Sequence, residues 1–252
     1  MALAGLGLFC LEAAAGISLL LLFFPPKQLG KGFFALHGLL AFSFALIATL
    51  VRPSGLPVPP AVAAAALLAI YTLLAHADRA SLARPVLAAG WLASVWALAR
   101  VALAAPRGAG DAWTVAGAIL GGLLLGAVVL VMNLGHWYLV SRSLPFRYLA
   151  RGAVLFAALA AARTLLLILA VPLDPRPDGL AALLSLERDA LFFLFRVMWG
   201  ILGPLALSYF IWKTADMRSN QAATGLLYVA LLFVLIGELL SSYLTVATGF
   251  PA

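Results

Sequence analysis

The stretch AWTVAGAILGGLLLGAVVLVMNLGHWYLV, residues 112–140, decides the fold class of this chain. It contains no Asp, Glu, Lys or Arg. A helix crosses a bilayer with about 20 apolar residues, because the hydrocarbon core is about 30 Å thick and each residue rises about 1.5 Å. An uninterrupted apolar stretch of this length is typical of a transmembrane helix.

The rest of the chain has the same character. Of its 252 residues 65% are hydrophobic and 10% are charged, with a mean hydropathy of +1.12. A soluble domain carries roughly 25% charged residues, and a disordered chain combines low hydrophobicity with high charge, so both classes are excluded. Breaks in the apolar pattern predict eight spans, at about residues 3–24, 32–51, 60–77, 85–105, 112–140, 147–171, 190–212 and 222–247.

The predicted fold is therefore all-α: one polytopic transmembrane helix bundle over residues 1–252, with short loops and no separate soluble domain. The longest connection, residues 172–189, contains a stretch at 180–186 that we expect to form a short interfacial helix. The first span lacks a basic leader and is followed by Pro25-Pro26 rather than a small-residue cleavage site, so we interpret it as retained in the protein.

Basic residues predict the orientation, because Lys and Arg concentrate in cytoplasmic loops. Nine of them fall on one side, against five on the other, so both termini are expected on the non-cytoplasmic side of a plasma (inner) membrane. The net charge of +7 is then a topology signal and an attraction for anionic lipid; no basic stripe with interleaved aromatic residues indicates nucleic-acid binding. The nine residues are Lys27, Lys31, Arg79, Arg84, Arg142, Arg147, Arg151, Lys213 and Arg218; the five are Arg52, Arg100, Arg107, Arg176 and Arg188.

Three histidines form a first set of candidate functional residues. The predicted topology places His37, His76 and His136 at the cytoplasmic level of their spans, with His37 and His136 at matching depth. Two histidines at equal depth on different helices are what a six-coordinate b-type haem requires as axial ligands, and the small neighbours Gly38 and Gly135 would let a macrocycle approach.

The sequence around His136 also fits a quinone head group. Asn133, Trp137 and Tyr138 offer hydrogen-bonding groups and aromatic faces near the membrane surface. The other interpretation of these histidines and their neighbours is interhelical hydrogen bonding and interfacial anchoring, which Trp and Tyr commonly provide at helix ends. The sole cysteine, Cys10, lies within a span, so an internal disulfide and a thiolate metal cluster are excluded.

Four charged residues form a second set: Glu12, Arg163, Arg196 and Glu238. They occupy overlapping depths in the outer halves of four different spans. Two acids and two bases balance in charge, which predicts burial as ion pairs. One interpretation is a structural clamp; the other is a proton path or a site for an anionic or quinone ligand.

Small residues and one proline predict features of helix packing. Gly117 and Gly121, like Gly122 and Gly126, are spaced four apart, which permits close helix contact and favours a central place for the fifth span. Pro204 is expected to kink the seventh span.

These features favour an integral subunit of a respiratory-type electron-transfer complex, holding a b-type haem or a quinone near the cytoplasmic face and joined to other subunits. Whether such a chain is itself an enzyme stays open. The alternatives are a transporter or channel with a Glu/Arg pathway, and a non-catalytic scaffold subunit.

Overall fold

The computed structural model of the chain describes residues 2–51, 58–104, 111–140, 144–145, 147–173 and 187–250. Over these residues it contains helices and turns only, and eight helical segments are long and apolar enough to cross a membrane, as predicted. The helices are α1 Ala2–Leu21, α2 Pro26–Val51, α3 Val58–His76, α4 Ala80–Leu103, α5 Asp111–Val140, α6 Arg147–Leu173, α7 Glu187–Phe195, α8 Gly203–Asp216 and α9 Asn220–Thr248, with a π-helical segment, Arg196–Leu202, between α7 and α8.

Three spans differ from the predicted pattern. The fourth begins at Ala80 rather than at about residue 85, and Pro85 lies inside it. The second begins at Pro26 rather than at residue 32, because a helical turn precedes a break at Gly30, whose φ of 72° and ψ of 163° only glycine adopts readily. The seventh is assembled from α7, the π-helical segment and α8. The interfacial helix predicted over 180–186 lies outside the described residues, as do Arg52, Arg107, Arg142 and Arg176.

The two ends of the bundle differ in composition. The α1–α2, α3–α4 and α8–α9 connections lie at one end, which we call the basic end because lysines and arginines such as Lys31 and Arg84 gather there. The first residues of α1 and the last residues of α9 meet at the opposite, terminal end, where a Cβ atom on Gly5 would lie against the backbone of Tyr243.

Large apolar side chains cover the outer faces of the bundle. Leu50, Leu73 and Ile168 are 72%, 70% and 61% exposed. Water would disfavour so much exposed apolar surface, whereas lipid chains would not. The fold indicates a multi-pass membrane protein.

Helices α1 and α5 form the centre of the bundle. Of an 18-residue apolar stretch in each span, 78% of the residues are buried in α1 and 67% in α5, against 22–39% in the other spans. The two helices approach at backbone distance, because a Cβ atom on Gly16 would overlap the carbonyl oxygen of Gly122, and one on Gly126 would overlap the backbone of Gly16. Gly122 and Gly126 therefore have the packing role that was predicted, and the fifth span has the predicted central position.

The α1–α5 contact predicts opposite effects for two matched substitutions. Gly126→Ala is expected to destabilise the fold by about 1–3 kcal/mol, because its methyl group meets backbone that cannot yield. Gly225→Ala on α9 meets nothing within 4 Å and should be neutral or raise stability by up to about 1 kcal/mol, since alanine favours a helix over glycine. Thermal unfolding in detergent measures both, and equal effects at the two positions would contradict the backbone contact.

Candidate functional site: a buried cluster of two glutamates and two arginines

The four charged residues predicted to share a depth meet inside the bundle. Glu12 lies on α1, Arg163 on α6, Arg196 on the π-helical segment and Glu238 on α9. Their side chains are 3%, 1%, 0% and 0% exposed, respectively. We call these four residues the charge cluster.

Glu238 is the anion that joins the two arginines. Its Oε1 accepts from Arg196 Nη2 at 2.9 Å and from Arg163 Nε at 3.4 Å, and its Oε2 accepts from Arg163 Nη2 at 3.3 Å. Arg163 Nη2 also donates to Ser241 Oγ at 2.6 Å, one turn further along α9. Burial of either arginine without this carboxylate would leave an uncompensated charge in an apolar interior.

The local sequence around Pro204 explains how Arg196 is held. In an α-helix the carbonyl oxygen of Gly200 would accept from the amide at position 204, where proline has no N–H. Arg196 Nη1 donates to this oxygen instead, at 2.9 Å. The sequence predicted a kink at Pro204, and the structure has a π-helical segment that ends just before Gly203.

Close contact between two glycines brings Arg196 to Glu238. A Cβ atom on Gly237 would overlap the Cα atom of Gly200, so the π-helical segment and α9 touch at their backbones. Sequence reasoning missed Gly200, Gly237 and Gly121 as parts of the site. The signal was present for one of them, since Gly237 directly precedes a charged residue inside an apolar span.

Glu12 has a different environment from Glu238. Its Oε2 accepts a hydrogen bond from Ser242 Oγ at 2.9 Å, and no arginine lies within ion-pair distance of it among the described residues. A Cβ atom on Gly121 would lie 2.6 Å from Glu238 Oε2 and 3.5 Å from Glu12 Oε2, which places these two carboxyl oxygens within about 6 Å of each other.

Two opposing electrostatic effects therefore act on Glu12. Its ionised form makes the charge cluster neutral, which favours ionisation. Its neutral form avoids repulsion from the adjacent carboxylate of Glu238 and the loss of hydration in a buried site, which favours protonation. A carboxyl group held between such effects is suited to exchanging a proton.

The cluster lies nearer to the terminal end than to the basic end. Glu238 is ten residues from Thr248 and eighteen from Asn220 along α9, which corresponds to about 15 Å and about 27 Å of helix. Towards the basic end, the next buried residues of α9 that face the core are Val234, Ala230 and Leu227, all apolar.

His37 is the one histidine that the structure buries completely. Its Nδ1 donates to the carbonyl oxygen of Phe33 at 2.7 Å, and because a carbonyl oxygen only accepts, Nε2 is the nitrogen that accepts from Asn133 Nδ2 at 3.1 Å. Both ring nitrogens thus have partners in the chain, and the His37–Asn133 contact joins α2 to α5.

The other residues predicted at this level are placed separately. His136 is exposed, with Nδ1 3.5 Å from the hydroxyl of Tyr228, and His76 is exposed at the end of α3. Trp137 Nε1 donates to the carbonyl oxygen of Leu29 at 3.0 Å. The hydroxyl of Tyr138 donates to the carbonyl oxygen of Pro145 at 2.6 Å. The arrangement fits the predicted alternative of interhelical hydrogen bonds and end anchoring.

The small residues beside the two histidines have neighbours of their own. A Cβ atom on Gly38 would lie 2.7 Å from the ring of Tyr71 on α3, and one on Gly135 would press against the side chain of Thr224 on α9. Among the described residues, no hydrogen bond or ring contact joins His37 to His136. Haem ligation by both stays a prediction, in which His37 would give up its contact with Asn133.

Comparison of the chain with protein-family models, with curated proteins and with solved structures found no match in any of the three.

The charge cluster predicts that the ion pairs depend on one another. Glu238→Leu is expected to destabilise the protein by about 3–5 kcal/mol, because two buried guanidinium groups lose their counter-ion. Combining it with Arg163→Met and Arg196→Met should recover part of that loss, since apolar residues of similar size need no counter-ion. Chemical unfolding in detergent measures both variants, and a triple variant less stable than Glu238→Leu would contradict the pairing.

Proposed function

We propose that the protein is a multi-pass subunit of a plasma (inner) membrane electron-transfer complex, in which Glu12 binds and releases a proton. The observation that carries the proposal is that two neighbouring carboxyl groups have different hydrogen-bond partners. Glu238 accepts three hydrogen bonds from two arginines, whereas Glu12 meets a single serine hydroxyl. Glu238 therefore stays ionised, and Glu12 is the group that exchanges a proton.

The short connections between helices support a subunit that works with partners. The described connections at the basic end, residues 22–25, 77–79 and 217–219, are too short to form a domain of their own. A reaction centre that takes up or delivers electrons would then belong to other subunits, with this chain providing the proton site within the bilayer. Positive residues favour a cytoplasmic basic end, which places both termini and the nearer approach to Glu12 on the outer side.

The alternative of a transporter or channel has less support. A pathway across the membrane needs polar groups or water on both sides of the charge cluster. Between Glu238 and the basic end, the buried residues Val234, Ala230 and Leu227 of α9 are apolar, as are Val128, Val131 and Leu134 of α5. The buried polar side chains that this half does contain, those of Ser18, His37 and Thr224, each bond to a backbone carbonyl oxygen of their own helix.

Labelling with dicyclohexylcarbodiimide tests the proton site. This apolar reagent modifies a carboxyl group in its protonated form, and peptide mass spectrometry locates the adduct. We expect labelling at Glu12 that falls as the pH is raised, none at Glu238, and loss of the adduct in Glu12→Gln. The matched variant Ser242→Ala removes only the hydroxyl donor and should keep the label.

The opposite result would favour the scaffold alternative. If Glu12 stays unlabelled across the pH range in which the protein is folded, while an exposed carboxyl group such as Asp78 reacts with a water-soluble carbodiimide, the charge cluster is a structural clamp. Labelling of Glu238 in place of Glu12 would overturn the assignment of roles to the two carboxyl groups.

A b-type haem or a quinone near the basic end is the second part of the electron-transfer proposal. It is supported by the burial of His37 beside Asn133, at a level where a redox group would face the cytoplasm. A reduced-minus-oxidised visible spectrum of the purified protein separates the cases. A b-type band that His37→Ala or His136→Ala removes would support haem, and a folded protein without such a band would leave quinone binding or the proton site alone.

A further inference from the structure

A cavity opens at the basic end, separate from the charge cluster and from the His37–Asn133 contact. It has about 70 Å³ of space for water-sized groups, about 530 Å³ when its open mouth is included, and lies where the α1–α2 and α3–α4 connections meet. Its inner walls are apolar, with Leu21, Phe34 and Leu87 contributed by three different helices. At the level where lipid head groups would begin, three charged residues also line it: Lys31, Arg84 and Asp78.

A phenol lines the same cavity. Tyr71 is 2% exposed, and its hydroxyl makes no hydrogen bond to the described part of the chain. A hydroxyl that reaches a cavity without a protein partner is free to donate to an acceptor on a bound molecule. The ring is held in place by Gly38, which leaves room for it against α2.

From the basic end towards the interior of the bundle, the order of these groups matches an amphipathic molecule. Tyr71 lies five residues before His76, the last residue of α3, so its backbone is about 7.5 Å deeper than the helix end. The side chain of Arg84 is held at the mouth of the cavity, because its Nη2 donates to the carbonyl oxygen of Leu22 at 3.1 Å. Going inward, a ligand would meet two cations and one carboxylate, then a phenol, then apolar walls.

We propose that this cavity binds one anionic glycerophospholipid. Its phosphodiester lies between Lys31 and Arg84, its ester carbonyl accepts from the hydroxyl of Tyr71, and one acyl chain runs along the apolar lining into the surrounding lipid. Two cations and one carboxylate give the lining a formal charge of +1, which a single phosphodiester neutralises. Asp78 accepts from hydroxyl groups of the head group, a role that a glycerol head group fills and a choline head group cannot.

The charge balance favours a phospholipid over a quinone, the other amphipathic candidate. A quinone head group is uncharged and would leave both cations without a counter-ion, whereas a phosphodiester satisfies them. The predicted orientation places the cavity in the cytoplasmic leaflet, where anionic lipids attract basic residues close to the membrane surface. The inference does not depend on proton exchange at Glu12, since the two sites share no residue.

Native mass spectrometry of the full chain in detergent, titrated with phosphatidylglycerol or phosphatidylcholine, tests the site. We expect one phosphatidylglycerol per chain, bound at least about tenfold more tightly than phosphatidylcholine. Lys31→Gln with Arg84→Gln should remove that preference. Tyr71→Phe keeps the ring and removes only the hydroxyl, and should weaken binding by roughly threefold.

Lys27→Gln with Lys213→Gln provides the matched control. It removes the same charge from the basic end without touching the cavity lining, so phosphatidylglycerol affinity should be kept. An equal loss in this control would show attraction to the surface alone and overturn the site, as would equal affinity for phosphatidylcholine or an unchanged Tyr71→Phe variant. Displacement of the lipid by free glycerol phosphate or by a quinone analogue at equal concentration would also overturn it, in favour of a soluble anion or a quinone site.

Discussion

The interaction on which the rest of this structure depends is the buried contact of one carboxylate with two guanidinium groups. Glu238 joins α6, the π-helical segment and α9 through three hydrogen bonds, all of them away from water and from lipid. Removing two arginines from water is costly, and only a buried anion at close range compensates for it. The packing of the last three spans is therefore tied to the position of a single side chain.

Glycine makes this contact possible. Gly200 and Gly237 let two backbones touch so that Arg196 reaches Glu238, and Gly121 leaves room for the carboxyl groups of Glu238 and Glu12 on the face of α5. Helices in lipid gain little from the hydrophobic effect and associate through close packing and polar contacts. In this bundle glycines serve both purposes, and a separate set, Gly16, Gly122 and Gly126, lets α1 and α5 meet at backbone distance in its centre.

The sequence predicted the spans and the depth of the charged residues, because both follow from hydropathy and from helical rise. It could not predict the pairing, since depth does not reveal which neighbour a side chain faces. Glu238 takes both arginines while Glu12 takes a serine, although the four residues had looked equivalent. His37 shows the same limit, because matching depth suggested a partner in His136 and the structure provides Asn133. The cavity around Tyr71 depends on how four helix ends meet, which no local pattern in the sequence encodes.

We propose that Glu12 carries an exchangeable proton inside a cluster whose other members keep their charge. Infrared spectroscopy of the protein in lipid, recorded as a difference between high and low pH, detects such a proton. We expect a carbonyl stretching band of a protonated carboxyl group that shifts in heavy water, is present in the wild type, and is absent from Glu12→Gln. A band that persists unchanged in Glu12→Gln, or the absence of any such band from the folded wild-type protein, would contradict it.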